Sequence, residues 1–191
     1  MESNIANLYV FKALEAYPWE LAKAVESLNY ALSYEPENVR ALCLMAKVHS
    51  EQLGDNEAAK NLYERALTVR LDIPQVYPEY IQLLLENEDF TQAQKLIDFA
   101  STVKGIDKGG IKVLQAQLFE INGTFEAAEK VLKEAQDVGL NADFIIFVDG
   151  ELERVTKKRE RQNRNQKEDS LKEVKAETVS NKWMHRLNGL L

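Results

Sequence analysis

An alanine-containing pattern recurs four times along the chain at a nearly constant spacing. Each copy has an alanine, a larger apolar residue four positions later and, three positions after that, a second alanine. The leading alanines are Ala24, Ala59, Ala93 and Ala128, separated by 35, 34 and 35 residues. Spacings of three and four bring side chains to one face of an α-helix. The period therefore predicts similar helical repeats that stack, because one repeat cannot bury its apolar face alone.

A second helix in each repeat is predicted by apolar triplets between the alanine patterns. The triplets are Leu42, Met45 and His49; Tyr77, Tyr80 and Leu84; and Ile111, Leu114 and Leu118. In the turn between the two helices, Gly54 and Gly123 suit a left-handed helix end, and Asp55 and Thr124 can cap the helix that follows. Each repeat is therefore predicted to be a pair of helices.

Composition favours the all-α class and a reducing compartment. The 191 residues include only 8 Gly and 4 Pro, which leaves little turn material for a many-stranded sheet. Cys43 is the single cysteine, so the chain can form neither an internal disulfide nor a cysteine-rich zinc site. Residues 1–4 do not begin a basic-then-apolar leader, and no run of about 18 apolar residues occurs. We expect a cytoplasmic protein that is neither exported nor inserted in a membrane.

The stretch from Ala31 to Leu42, which reads Ala-Leu-Ser-Tyr-Glu-Pro-Glu-Asn-Val-Arg-Ala-Leu, resembles the junction between two tetratricopeptide repeats. That family has a unit of about 34 residues, with small residues on the second helix and a closing proline. The similarity extends over about residues 20–140. It implies an all-α, right-handed solenoid of helix-turn-helix repeats with a C-terminal capping helix and a charged tail.

The predicted organisation has a repeat domain followed by two C-terminal segments. The repeat domain covers residues 1–155, with repeats at about 3–36, 37–71, 72–106 and 107–140 and a capping helix at 141–155. Ile145, Val148, Leu152 and Val155 share one side of that helix. Residues 156–180 are predicted to be a charged basic linker or a helix extension, and residues 181–191 a short amphipathic tail helix. The tail would dock through Trp183, Met184, Leu187, Leu190 and Leu191.

The resemblance also implies a binding surface, because the first helices of successive tetratricopeptide repeats line a concave groove that holds a partner peptide or helix. The side chains expected to face this groove are Tyr9, Arg40, Cys43, Lys47, Ser50, Gln75, Gln82, Leu85, Lys112 and Phe119. Leu85 and Phe119 allow two interpretations. They are either apolar anchors for a ligand or side chains packed between helices.

No catalytic constellation is recognisable in the sequence. It has no phosphate-binding glycine loop, nucleophile elbow, paired-histidine metal motif or calcium loop, and its only histidines are His49 and His185. We therefore expect a non-enzymatic adaptor or scaffold without a cofactor or metal, which binds a protein or peptide and no membrane. Homo-oligomerisation or self-docking through the C-terminal tail is a further possibility.

Charge is unevenly distributed and supports one alternative function. Residues 1–150 carry 13 basic against 24 acidic residues, whereas residues 151–191 carry 11 against 7. Between Arg154 and Lys167 there are seven basic residues and one acid, Glu160. Such a segment can contact phosphates, so a nucleic-acid or ribonucleoprotein accessory protein is the alternative hypothesis. Against it, no aromatic residues interleave for base stacking. The competing interpretation is a solvated segment that partly complements the acidic repeats.

Overall fold

The computed structural model describes the backbone of residues 2–188 and the side chains of residues 4–168, and within these residues the chain is helical with no strand. The all-α prediction is confirmed. The helices are α1 (Glu2–Ala16), α2 (Leu21–Tyr34), α3 (Val39–Val48), α4 (Asn56–Val69), α5 (Val76–Glu86), α6 (Phe90–Ala100), α7 (Lys108–Ile121), α8 (Phe125–Asp137) and α9 (Ala142–Asn188). A π-helical turn at His49–Leu53 extends α3. None of these helices is both long and apolar enough to cross a membrane.

The chain divides into two compact units, Met1–Leu118 and Phe119–Leu191, and the division falls within α7. In the first unit, α1 packs on α2, α3 on α4 and α5 on α6, so each predicted repeat there is a helix pair. These pairs stack through contacts of α2 with α3 and of α4 with α5. In the second unit, α8 packs against α9.

The recurring alanines lie at the helix contacts. The leading alanines Ala24, Ala59, Ala93 and Ala128 and their partners Ala31, Ala66, Ala100 and Ala135 are all 0% exposed. The larger residue between each pair is also buried, as Leu28, Tyr63, Ile97 and Leu132 show. A methyl side chain lets two helix backbones approach closely, whereas a larger one would hold them apart. The repeat period read from the sequence therefore coincides with the packing.

The turns inside the repeats contain most of the predicted helix ends and caps. Gly54 and Gly123 are left-handed, with φ of 65° and 71°, and the Asp55 carboxylate accepts a hydrogen bond from the Ala58 amide at 3.1 Å, capping α4. Thr124 occupies the N-cap position of α8 as predicted, but its side chain makes no cap hydrogen bond. Its hydroxyl donates to the Phe119 carbonyl at 2.8 Å.

Helix α9 is continuous over 47 residues. It therefore runs through the predicted capping helix and residues 156–180 and into the predicted tail, without a break near residues 155 or 180. Of the four apolar residues expected on one side of its first part, Val148 and Val155 are buried, Leu152 is half-buried and Ile145 is 37% exposed. The division of this helix into cap, linker and tail stays a prediction.

Candidate functional site

A cleft of about 400 Å³ opens on the first compact unit, among the first helices of three consecutive repeats. Ser50 and Glu51 border it after α3, α5 contributes one wall, and the start of α7 contributes the other. Its lining residues are Ser50, Glu51, Tyr63, Pro78, Glu79, Gln82, Leu83, Glu86, Asp107, Gly110, Val113 and Leu114. Because every repeat has its two helices in the same order, stacking places the first helices side by side. The stack therefore creates this surface, and no single repeat contains it.

The cleft is strongly acidic, because four of its lining residues are carboxylates: Glu51, Glu79, Glu86 and Asp107. Lys47 contacts two of them, with its Nζ 3.3 Å from Glu79 and 3.7 Å from Glu51. Asp107 is partly occupied as a helix cap, since its carboxylate accepts a hydrogen bond from the Gly110 amide at 3.1 Å. The surface therefore favours a ligand with positive charge.

Apolar side chains form the base of the same cleft. Leu83, Val113 and Leu114 line it and are 2%, 7% and 8% exposed. An apolar base with a charged rim is the usual composition of a site that anchors a side chain and orients its backbone.

Tyrosine hydroxyls hold two of the carboxylates in place. The Tyr63 hydroxyl donates to Glu79 at 3.4 Å, and the Tyr17 hydroxyl donates to Glu51. Burial, followed by the charge of Glu79, raises the pKa of Tyr63. Burial and the hydrogen bond with Glu51 raise the pKa of Tyr17 to about 12. Both phenols therefore stay protonated near neutral pH and act as donors.

The structure brings only some of the predicted groove residues to the cleft. Ser50 and Gln82 line it, and Lys47 contacts its carboxylates. Arg40 and Gln75 are exposed elsewhere, whereas Lys112 is half-buried. Tyr9 stacks on Tyr30 and Tyr34, with ring centroids 5.1 and 6.0 Å away.

Leu85 is not available as a ligand anchor. It is 5% exposed and belongs to the hydrophobic core of the first unit, so packing between helices is the correct alternative for this residue. Phe119 is half-buried and is the first residue of the second unit. The predicted docking residues Trp183, Met184 and Leu187 lie outside the described side chains, and Leu190 and Leu191 lie outside the described residues altogether.

Cys43 lies half-buried on α3. Burial, with a smaller contribution from the charge of Glu79, raises the pKa of its thiol to about 12. Because the thiolate is the reactive form of cysteine, this environment suppresses nucleophilic and redox chemistry near neutral pH.

The basic stretch of α9 is largely engaged with carboxylates of its own unit. Arg154 and Lys158 both contact Glu120, with Arg154 Nη2 at 2.7 Å and Lys158 Nζ at 2.6 Å. Arg159 Nε lies 3.0 Å from the buried Glu129 carboxylate, and Lys157 pairs with Glu153. At least four of the seven basic residues thus have acidic partners, and the nucleic-acid alternative gains no support from the structure.

Sequence reasoning missed the four cleft carboxylates. A signal did exist in α5, where Glu79 and Glu86 are seven residues apart and Gln82 lies between them on the same face. Glu51 and Asp107 carry no such signal. Glu51 follows α3 and Asp107 precedes α7, so only the stacking of repeats brings the two carboxylates to the same surface.

The repeat assignment is supported by sequence as well as by geometry. The sequence profile of the tetratricopeptide repeat matches residues 39–72, the helix pair α3–α4. Residues 39–72 are a tetratricopeptide repeat. A search of curated proteins finds no significant match to this chain.

Several solved structures resemble this chain in fold, at low sequence identity. PilF from Pseudomonas aeruginosa is 17% identical with a TM-score of 0.71, over 83% of this chain and 71% of PilF. MamA from Desulfovibrio magneticus RS-1 is 14% identical with a TM-score of 0.63, over 86% and 94% of the two chains. PilW, a type IV pilus biogenesis factor, is 18% identical with a TM-score of 0.65, over 81% and 76%. At these identities the likeness concerns the fold alone.

Proposed function

We propose that this protein is a non-enzymatic scaffold that holds a basic segment of a partner protein in the acidic cleft of its first compact unit. The observation that carries the proposal is the cleft itself, with Glu51, Glu79 and Glu86 around an apolar base. A tetratricopeptide repeat fold supports this class of function. The half-buried, protonated Cys43 thiol fits a binding role in a reducing compartment such as the cytoplasm.

The chemistry of the cleft defines the ligand. A lysine or arginine side chain reaching Glu79 or Glu86 would gain charge-assisted hydrogen bonds, while an apolar neighbour would cover Leu83 or Val113. Lys47 already contacts Glu79, so an incoming cation would share or displace that ion pair. An acidic segment would instead meet like charges and be rejected.

The test uses a random peptide library displayed on phage and selected on the full chain. Selected peptides should be rich in Lys and Arg, and their affinity should fall by roughly tenfold or more for Glu86→Lys, which corresponds to about 1.4 kcal/mol. Binding should also weaken with added salt, because the attraction is electrostatic. Fluorescence anisotropy on synthetic copies of the selected peptides measures each affinity.

Asp98→Lys is the matched control variant. Glu86 and Asp98 are both exposed helix residues that accept a hydrogen bond from a glutamine four positions earlier, at 2.9 and 2.8 Å. Asp98 does not line the cleft, so its charge reversal should leave peptide affinity unchanged. Equal losses for the two variants, or selected peptides without basic residues, would rule out the cleft as the binding site.

A further inference from the structure

Three tyrosines form a stacked cluster on the surface of the first helix pair. The Tyr9 ring on α1 stacks on the rings of Tyr30 and Tyr34, which lie four positions apart on α2. The ring centroids are 5.1 and 6.0 Å from that of Tyr9, with interplanar angles of 27° and 11°. Tyr30 and Tyr34 are 48% and 44% exposed. We define these three residues as the tyrosine cluster.

The hydroxyl groups of the tyrosine cluster make no hydrogen bond to the part of the chain that the structure describes. The remaining tyrosines behave differently, because each donates its hydroxyl proton to a carboxylate or a backbone carbonyl. They are Tyr17, Tyr63, Tyr77 and Tyr80. The tyrosine cluster therefore presents aromatic rings together with hydrogen-bond donors that are available to a ligand.

Tyr30 separates two grooves on the first unit. One groove, of about 500 Å³, runs between α1 and α2. The other, of about 760 Å³, lies between α2 and the π-helical turn that follows α3. Tyr30 and Glu26 border both grooves, and their spacing of four residues makes them a ridge along α2. Apolar side chains dominate the second groove, among them Leu21, Val25 and Leu53.

The separation of the two grooves matches the pitch of a polyproline II helix. Packed helices lie about 8–10 Å apart, so the grooves on either side of one helix are separated by about the same distance. A polyproline II helix has three residues per turn and rises ~3.1 Å per residue, which gives about 9 Å per turn. A segment in this conformation that crosses α2 would therefore place residues one turn apart in the two grooves, on either side of Tyr30.

The chemistry of the tyrosine cluster fits the same ligand. A polyproline II helix has no internal hydrogen bonds, so its carbonyl oxygens need donors from outside. The hydroxyls of the tyrosine cluster can supply these donors beside rings on which proline can pack. Aromatic-lined grooves are a recurring docking surface for proline-rich segments.

Charge favours a basic residue next to the prolines. Glu15 and Glu26 border the groove between α1 and α2, and neither has a hydrogen bond or ion pair with the described part of the chain. The two lysines of this groove are engaged, because Lys23 pairs with Glu20 and Lys12 Nζ lies 5.0 Å from the centroid of the Tyr9 ring. An arginine or lysine beside the prolines would gain charge-assisted hydrogen bonds with Glu26.

The geometry and charge disfavour two other ligands of aromatic side chains. A cage for a quaternary ammonium group needs rings that surround the cation, whereas the Tyr9 ring lies within 27° of parallel to both of its partners. Nucleic-acid bases also stack on exposed rings, but Glu15 and Glu26 would repel the phosphates.

We propose that the tyrosine cluster binds a proline-rich segment with a flanking basic residue, held in the polyproline II conformation across α2. The two grooves share no lining residue with the acidic cleft, and the proposal does not depend on the function proposed for that cleft. A single short segment over open grooves buries little surface, so we expect a dissociation constant on the order of 100 μM.

The first experiment titrates the full chain into a fluorescein-labelled peptide of nine prolines followed by one arginine, and measures fluorescence anisotropy. The wild type should bind saturably, and Tyr30→Ala should bind roughly tenfold or more weakly, because this ring borders both grooves. Phe11→Ala is the matched control: Phe11 is a 59% exposed aromatic residue of α1 that lines neither groove. Its affinity should equal that of the wild type, and circular dichroism checks that both variants stay folded.

A second set of measurements tests the individual interactions. Tyr30→Phe keeps the ring and removes the hydroxyl, so it should lose roughly twofold to tenfold in affinity. Glu26→Gln should weaken binding of the arginine-containing peptide but not of nine prolines alone. A peptide with alanine in place of every proline should bind at least roughly tenfold more weakly, because alanine favours the α-helix over polyproline II. Glu86→Lys, which changes the acidic cleft, should leave the affinity for the proline peptide unchanged.

Four results would overturn the proposal. They are a wild type without saturable binding up to millimolar concentration, equal affinity for the proline and alanine peptides, an affinity that Tyr30→Ala leaves unchanged, and a loss of binding in Glu86→Lys. Tighter binding of a labelled oligothymidylate, abolished by Tyr30→Ala, would also overturn it and assign the tyrosine cluster to single-stranded nucleic acid.

Discussion

Glu88 shows how a single residue departs from the pattern of its repeat. It follows α5 with a φ of 61°, the left-handed conformation that Gly54 and Gly123 adopt in the corresponding turns. A side chain in this region crowds the backbone and costs about 1–2 kcal/mol. The turn still closes, because the Asp89 amide donates to the Leu84 carbonyl at 2.9 Å. Glu88 therefore marks a position where the chain carries local strain that its counterparts avoid.

Replacing Glu88 with glycine should stabilise the protein. Release of the strained φ outweighs the extra entropy that glycine adds to the unfolded chain, so the free energy of unfolding should rise by about 0.5–1 kcal/mol. Urea denaturation followed by circular dichroism measures the change. Gly54→Ala is the opposite control: apart from its chain neighbours, no atom lies within 4 Å of a Cβ added there, so a loss of stability reflects the strained left-handed φ and no clash with another part of the fold. A loss of stability in Glu88→Gly would contradict the interpretation.

At the scale of the helix, the recurring alanines set how closely neighbours approach. Ala24 on α2 is 0% exposed in the tightly packed pair α1–α2, while Ala22 on the same helix is exposed. The extra residue that makes the step from Ala24 to Ala59 longer than the ~34-residue unit coincides with the π-helical turn at His49–Leu53.

Replacing a buried alanine at a helix contact with a larger residue should destabilise the stack. Ala24→Leu inserts a branched side chain into a filled contact and should lower the free energy of unfolding by roughly 1–3 kcal/mol. Ala22→Leu makes the same substitution on the exposed side of α2, and its free energy of unfolding should stay within about 0.5 kcal/mol of the wild-type value. Thermal and urea unfolding of both variants provide the comparison. Similar losses for the two would show that helix propensity, and not packing, controls this position.

At the scale of the whole molecule, each compact unit uses its charges differently. In the first unit, four carboxylates line an open cleft, and Lys47 contacts two of them. In the second unit, Glu120, Glu129 and Glu153 form ion pairs with basic residues of α9. Glu120 is the clearest example, with its side chain 9% exposed and held by both Arg154 and Lys158. The basic stretch of α9 therefore forms ion pairs within its own unit.

The Glu120 cluster predicts a loss of stability in acid. Burial raises the pKa of Glu120, but the hydrogen bonds from Arg154 and Lys158 outweigh burial, so the pKa lies below its ordinary value. A carboxylate with a lowered pKa in the folded state stabilises the fold fully above its unfolded pKa. That contribution disappears as pH falls through the folded pKa, below about pH 4.

Glu120→Gln should remove this pH dependence. At neutral pH it should weaken the second unit by roughly 1.5–3 kcal/mol, through loss of charge-assisted hydrogen bonds. The difference from wild type should shrink as pH falls below about 4. Amide hydrogen exchange in α8 and α9 measures the effect locally. Glu160→Gln, an exposed residue on α9, is the control and should behave as wild type; a difference that persists in acid would argue against an ionic origin.

The sequence by itself determined the period, the helix pairs, the buried alanines and the glycine turns of this protein. These features depend on which residues share a face of one helix or end it, and local spacing encodes that information. Tertiary structure alone decided that Leu85 packs in the core, that Glu51 and Asp107 border one cleft, and that Glu120 meets Arg154, 34 residues away. Each of these outcomes depends on how separate helices meet, because a side chain on a helix surface has several possible neighbours until stacking selects one.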